Sequence, residues 1–361
     1  SFLVEAGVKG TIFQSTYWAE YLKKTYNDRP IYIASLDKKG NIQGLLLAIE
    51  SCYAKHPALT SLGKRGLVLG RLYKHVISRL FHRMLPFIFW ENGPIILSQP
   101  STEKPLHKEL IYREIVEKIV EKARKRNCYG IKFARPPFFD DQKEIFSSLG
   151  FMKRRMGTIL VDLNQPFDVL WKRAEKDARR TFRRGIEQGV EIEKVSKLDG
   201  LEEFYDLNVQ LCKREKVKVY PFSRFVSLWN YFSPLDKVVV FIARIKDKPV
   251  GASFYLMHNG IIHLFALGDS DYARSNRIYA NQVLTWHVIR WAQEKSFRYF
   301  DHSGVELYKI DAGDKKARNI YRFKSKWGGQ LVEYHDYKKP LQEKKLVKFL
   351  NHFMADSVIR N

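Results

Sequence analysis

Apolar positions in this chain follow two periods, and stretches of each alternate. Ile31–Ser35 and Gln43–Glu50 are short apolar runs on either side of Asp37-Lys-Lys-Gly40, which predicts two strands joined by a turn. From Lys104 to Arg126 the spacing is helical, with Leu106, Leu110, Ile115, Ile119 and Val120 on the apolar side. Strands follow at Tyr129–Phe133, closed by Pro136-Pro137, and at Thr158–Leu163, closed by Asn164-Gln-Pro166. The second half repeats the order. Lys237–Arg244, Val250–Met257 and Ile261–Leu267 read as strands separated by turns at 246–249 and 258–260. Ala280–Glu294 then reads as a helix and Phe297–Asp301 as a strand. Two successive units of strand, turn, strand, helix, strand predict a duplicated α/β chain with a boundary near Val161 to Phe167. No short repeat is visible, so the duplication is one of structure. The expected division is 1–162, carrying a helical insertion at about 66–86, then 163–340, then a C-terminal helix at 341–361.

At 361 residues the chain is long enough for two domains, and 45% hydrophobic with 14% aromatic content fits folded structure. The net charge of +24 changes the picture more, because it predicts a polyanionic partner: nucleic acid, an anionic membrane surface or a phosphorylated substrate. Cys52, Cys128 and Cys212 lie far apart without a CxxC, which argues against a disulfide framework and for a reducing cytosol. No signal peptide and no bilayer-length apolar run stands out, so a cytoplasmic location with at most peripheral membrane contact is expected. The ten histidines show no metal-ligand spacing, and no P-loop, HExxH or GxSxG is present, so neither metal nor cofactor is expected.

Three cationic stretches are candidate binding surfaces. Between Leu67 and Leu85 an apolar stripe faces a side carrying Arg71, Lys74, Arg79 and Arg83, with no acidic residue. That is the pattern of a helix lying in a membrane interface, or of a surface helix with solvated cations. Lys176, Arg179, Arg180, Arg183 and Arg184 belong to a second run, 172–184, whose helical face could follow nucleic-acid phosphates or simply be solvated. Around Pro221, Arg214 and Tyr220 could grip a phosphate-bearing ligand, or form a loop between helices.

The run Tyr321-Arg-Phe-Lys-Ser-Lys-Trp-Gly-Gly329 follows Arg298-Tyr-Phe-Asp-His-Ser-Gly304 and leads into a strand-like segment. A lysine beside aromatic rings at a strand start can stabilise developing negative charge. The alternative is that Phe323 and Trp327 are core and the lysines are solvated.

Taken in order, several segments resemble the FemABX aminoacyltransferases. Gln14-Ser-Thr-Tyr-Trp18 with Lys23 looks like the family's amino-terminal QSxxWxxxxK pattern, and Asn92-Gly-Pro-Ile95 like its GP strand. Gly150-Phe151 with Thr158–Leu163 looks like its hinge, and Ala178–Arg184 with Gly189–Ile192 like its basic helix. Asn281–Trp286, Tyr299–Asp301 and the closing 321–329 run match its last helix, strand and YxFKxxFGG ending. The resemblance implies two tandem GNAT-like α/β domains with mixed central sheets. It implies transfer of an aminoacyl group from aminoacyl-tRNA to an amine of a UDP- or lipid-linked muropeptide precursor. A cytoplasmic monomer is expected, able to associate with the inner face of the cell membrane. Lys324, beside Phe323, is implied in transition-state stabilisation. Lys23, Trp18, Arg214, Tyr220 and Asp301 are implied in substrate binding, with Asp301 equally open to a structural role.

Two rivals stay open. One is a CoA-dependent N-acyltransferase, although Arg274–Ala280 stands without glycine where CoA-binding members carry a glycine-containing pyrophosphate loop. The other is a non-catalytic tRNA- or membrane-binding module on the same fold.

Overall fold

The computed structural model describes residues 5–52, 86–97, 105–134 and 143–342. The expected helices at 66–86 and 341–361 lie outside the described residues, apart from Pro86, Leu341 and Gln342. The chain divides into two compact units, 1–155 with 334–361, and 156–333. The break therefore comes before the expected 162/163, inside a strand, and residues 334–340 return to the first unit.

In the first unit, α1 (Thr16–Tyr26) begins at Ser15, whose hydroxyl accepts the Trp18 amide at 3.2 Å. Strands β1 (Arg29–Leu36), β2 (Ile42–Cys52) and β3 (Pro86–Trp90) pair antiparallel in that order, and β4 (Ile95–Ile96) pairs with β2. Helix α2 (Pro105–Lys125) lays Ile111, Ile115 and Ile119 on this sheet, close enough that a Cβ at Gly44 would meet Ile111 Cγ2 at 2.7 Å. Strand β5 (Gly130–Ala134) runs parallel to β3 and antiparallel to 336–340. Phe133 stacks between Trp90 and Tyr337, which closes the core with α3 (Lys143–Ser148) beside it.

Strand β6 (Met152–Asp162) opens the second unit from residue 156. The run expected as one basic helix is two, α4 (Phe167–Arg173) and α5 (Lys176–Glu187), because Ala174 is extended, with ψ of 140°. Then come β7 (Val190–Lys194), α6 (Leu198–Arg214), α7 (Phe222–Phe232), β8 (Val238–Ile245), β9 (Lys248–His258) and β10 (Ile261–Asp269). The chain closes with α8 (Asp271–Ser275), α9 (Ala280–Glu294), β11 (Tyr299–Val305), α10 (Leu307–Asp311), α11 (Lys315–Ser325) and β12 (Gln330–Pro340). In this unit the strand order is β6-β11-β10-β9-β8-β7; β10 and β11 are parallel and the other pairs antiparallel.

One face of this sheet buries Val283, Trp286 and Ile289 of α9 with Phe300 and Trp327. On α5, Gly185 permits the close approach, since a Cβ there would meet Val283 at 2.4 Å. Across the sheet, Phe204 of α6, Phe225 of α7 and Phe254 of β9 pack together with ring centroids 5.1–5.8 Å apart.

Candidate active site

Two irregularities in the second sheet create the site. β10 and β11 pair only at 261/299, 262/300 and 263/301, so His263 and Asp301 are the last aligned residues. Immediately beyond, β11 bulges against β6 between Asp301 and Gly304, with Ser303 at φ 68°. A bulge leaves backbone groups unpaired and re-aims them. Here the carbonyls of Ser303 and Gly304 accept from Lys324 Nζ at 3.1 and 2.8 Å.

Lys324 stands in the last turn of α11, not at a strand start. Asp314 caps that helix, accepting the amides of Lys316 and Ala317 at 2.8 and 2.9 Å, and the aromatic run continues it. Half-buried, Lys324 is pulled by desolvation from the ordinary lysine value to about 8, while Asp301 pulls the other way. Phe323 packs edge-to-face on the buried Trp327 at 6.2 Å. Gly328 and Gly329 bring the chain against β6, where a Cβ at Gly329 would meet Ile159 Cγ2 at 2.6 Å.

Asp301 is not at a strand end but mid-strand, held from three sides. Its Oδ1 accepts the Thr158 hydroxyl and the Ser303 amide, the latter at 2.8 Å, and its Oδ2 lies 2.7 Å from His263 Nδ1. Burial would raise its pKa, but the His263 imidazole and the three hydrogen bonds bring it below the usual carboxylate range. His302 points elsewhere, 4.5 Å from Phe300 in the core, and burial aided by the Lys324 charge pushes it down to about 3. Within 301–304 and its partners, the arrangement thus offers a cation for a developing oxyanion and an imidazole–carboxylate pair.

The other expected residues are dispersed. Arg214 is engaged by Asp269 and by Asp271 at 2.6 Å, and Asn281 also donates to Asp269 at 3.0 Å. Tyr220 lies under Arg224 at 4.0 Å and Lys218 at 5.0 Å, and Arg224 also covers Phe265 of β10 at 5.2 Å. On α5, Arg180 pairs with Asp177 at 2.6 Å, Arg179 donates to the carbonyls of Trp171 and Lys172, and Arg183 lies over the Trp171 ring. Lys176 and Arg184 are exposed on the same helix. Lys23 and Trp18 belong to the first unit. Lys23 is exposed, whereas Trp18 is buried between Phe13 and Tyr21. Gln14 makes two bonds to the Leu47 backbone, accepting its amide at 3.0 Å and donating to its carbonyl at 3.2 Å. In that motif, then, Gln14 anchors a strand, Ser15 caps a helix and Trp18 fills a core. Arg71, Lys74, Arg79 and Arg83 lie outside the described residues.

His263 was absent from the expected site. It sits in an apolar strand, and only the pairing with Asp301, 38 positions later, marks it. At the turn where CoA enzymes carry glycines, the Gln188 side chain accepts the Tyr279 amide and donates to the Arg277 carbonyl, each at 3.1 Å. Among the described residues there is no group of three or more histidine, cysteine or acidic side chains placed to hold a metal, and no helix long and apolar enough to cross a membrane.

The family model for an Acetyltransferase (GNAT) domain matches residues 172–329. FemX superposes with a TM-score of 0.68 at 14% identity, over 98% of this chain and 96% of that one. The C-terminal domain of a proposed lysylphosphatidylglycerol synthetase from Agrobacterium fabrum gives 0.53 at 13% identity, over 93% and 92%. A tandem GNAT protein from the clavulanic acid biosynthesis pathway gives 0.54 at 9% identity, over 95% of each chain. No curated protein sequence matches. The chain has a GNAT-type α/β fold shared over nearly its whole length with FemX, as the motifs led one to expect.

Proposed function

We propose that this protein is an aminoacyltransferase that moves an amino acid from aminoacyl-tRNA to an amine of a peptidoglycan-type muropeptide precursor, UDP- or lipid-linked. The observation that carries the proposal is Lys324, fixed by two bulge carbonyls at the point where β10 and β11 part. Two of its three ammonium hydrogens are used internally, which leaves the third for an oxyanion. Such a preorganised donor in a poorly solvated site lowers the barrier by roughly 3 kcal/mol. The donor ester is already activated, so amide formation needs no nucleotide hydrolysis, and holding both substrates supplies much of the remainder.

The exposed Lys176 and Arg184, with Arg183, suit the tRNA backbone. The fold shared with FemX and the ordered motifs support the same reading. On this reading the enzyme works in the cytoplasm, at the inner face of the membrane when the acceptor is lipid-linked. The side-chain strap from Gln188 favours it over CoA, because the Tyr279 amide that could face a pyrophosphate is already satisfied.

The test is a transfer assay with a labelled aminoacyl-tRNA pool and muropeptide precursors. Label appearing in the precursor supports the proposal. Transfer from acetyl-CoA alone, with none from tRNA, overturns it.

A further inference from the structure

We propose that His263 is the base that removes the proton from the attacking amine, and that Asp301 orients it. The inference rests on the acyl-transfer reading above and concerns where the proton goes.

His263 and Asp301 are the last paired residues of two parallel strands that then separate, so their side chains stand together where the sheet opens. By strand alternation His263 faces away from Ile262 and Leu264, which belong to the core on the α9 side. Asp301 Oδ1 is occupied by the Thr158 hydroxyl and the Ser303 amide, which leaves Oδ2 for His263 Nδ1 at 2.7 Å. An ionised carboxylate only accepts, so Nδ1 carries the hydrogen, and in the neutral ring Nε2 becomes the lone-pair nitrogen. Asp301 thereby selects the tautomer that can act as a base. Lys324 hangs from the carbonyls of Ser303 and Gly304, two and three residues further along the same strand. Base and oxyanion donor are thus both bonded to the segment 301–304.

His302 is excluded from this role. It is 1% exposed, and its Nε2 has no hydrogen-bond partner among the described residues.

In the step, the amine nitrogen bonds to the donor carbonyl carbon, and the π pair moves to the oxygen beside Lys324. The amine proton passes to His263 Nε2. The ester C–O bond then breaks, its pair leaves on the ribose oxygen, and His263 returns the proton there. The products are an amide and a free tRNA hydroxyl, with the dyad restored.

The test uses the full chain in the transfer assay, with folding checked by circular dichroism. His263→Asn retains an N–H that can reach Asp301 but has no basic nitrogen, so it replaces a histidine that merely holds Asp301. Loss of about a hundredfold or more in turnover is expected for it and for His263→Ala. Added imidazole is expected to restore part of the His263→Ala rate while Asp301 is present, and none of it in His263→Ala/Asp301→Asn. The isosteric Asp301→Asn reads the same dyad from its other end and guards against a misfolded His263 variant. Near wild-type turnover in His263→Asn or in Asp301→Asn, or a His263→Ala rate that imidazole leaves unchanged, overturns the proposal. If the wild-type chain transfers nothing, it is the functional reading that fails instead.

Discussion

The ammonium of Lys324 lies 2.8 Å from the Gly304 carbonyl oxygen, bonding a helix end to a bulged strand. The pair joins α11 to β11 across 20 residues, and it fixes the one half-buried cation that the proposed reaction requires.

Lys324→Met removes the charge and keeps the length of the side chain. Turnover is expected to fall by about a hundredfold or more, with circular dichroism unchanged. Near-normal turnover would remove Lys324 from the mechanism.

The acidity of Lys324 gives opposite pH trends for activity and stability. Turnover needs the ammonium, so kcat should decline as pH rises through about 8. Because the folded value lies below that of an exposed lysine, the folded chain binds fewer protons at this site between the two values. The stability contribution of the site therefore rises with pH across that window. The two profiles, kcat and Tm against pH, should be compared in wild type and Lys324→Met. The contribution from Lys324 is absent if the substitution leaves both profiles unchanged in shape.

Arg214 neutralises Asp269, whose pKa burial raises despite the guanidinium. Arg214→Ala strands that carboxylate and should lower stability by on the order of 3 kcal/mol. Chemical denaturation measures it. Unchanged stability with weakened precursor binding would mean that Arg214 serves the substrate, as the family resemblance implies.

The cations of α5 should be read by salt titration. A Lys176→Glu/Arg183→Glu/Arg184→Glu variant is expected to bind tRNA more weakly. The slope of log affinity against log salt should fall by about one for each phosphate that the helix no longer neutralises. An unaltered slope would mean that this face is only solvated.

Gly329→Ala tests the closing motif as packing. The added Cβ would meet Ile159 Cγ2 at 2.6 Å and the Leu160 carbonyl oxygen at 2.9 Å, so a loss of about 2 kcal/mol is expected. A thermal melt equal to wild type would show that β6 yields there.

Much of the architecture was legible because apolar period and turn chemistry agree locally. Strands β8 to β10 and helix α9 fall within a few residues of their expected bounds. Helix α11 was not, since its capping residue Asp314 stands upstream of the conspicuous run and the aromatics of 321–327 suggest a strand. Lys324 could be singled out from its motif, but its partners Ser303 and Gly304 are backbone carbonyls freed by a bulge, which no residue type announces. His263 was illegible for a different reason: nothing local separates it from any other polar residue on a half-buried strand. The helical break at Ala174 likewise lies in its ψ angle rather than in a proline or glycine.

The bulge at 302–303 has a consequence for how this chemistry can be gained or lost. Deleting one residue there would restore a regular ladder and turn the positions that follow to the opposite face of the sheet. Phe300, which packs with α9, precedes the bulge and would keep its face, whereas Val305, buried with Ile159 and Leu307, would be turned over. A single missing codon would undo the anchorage of Lys324 and a single inserted one could create it, so kinship of fold alone says little about which relatives hold a lysine in this way.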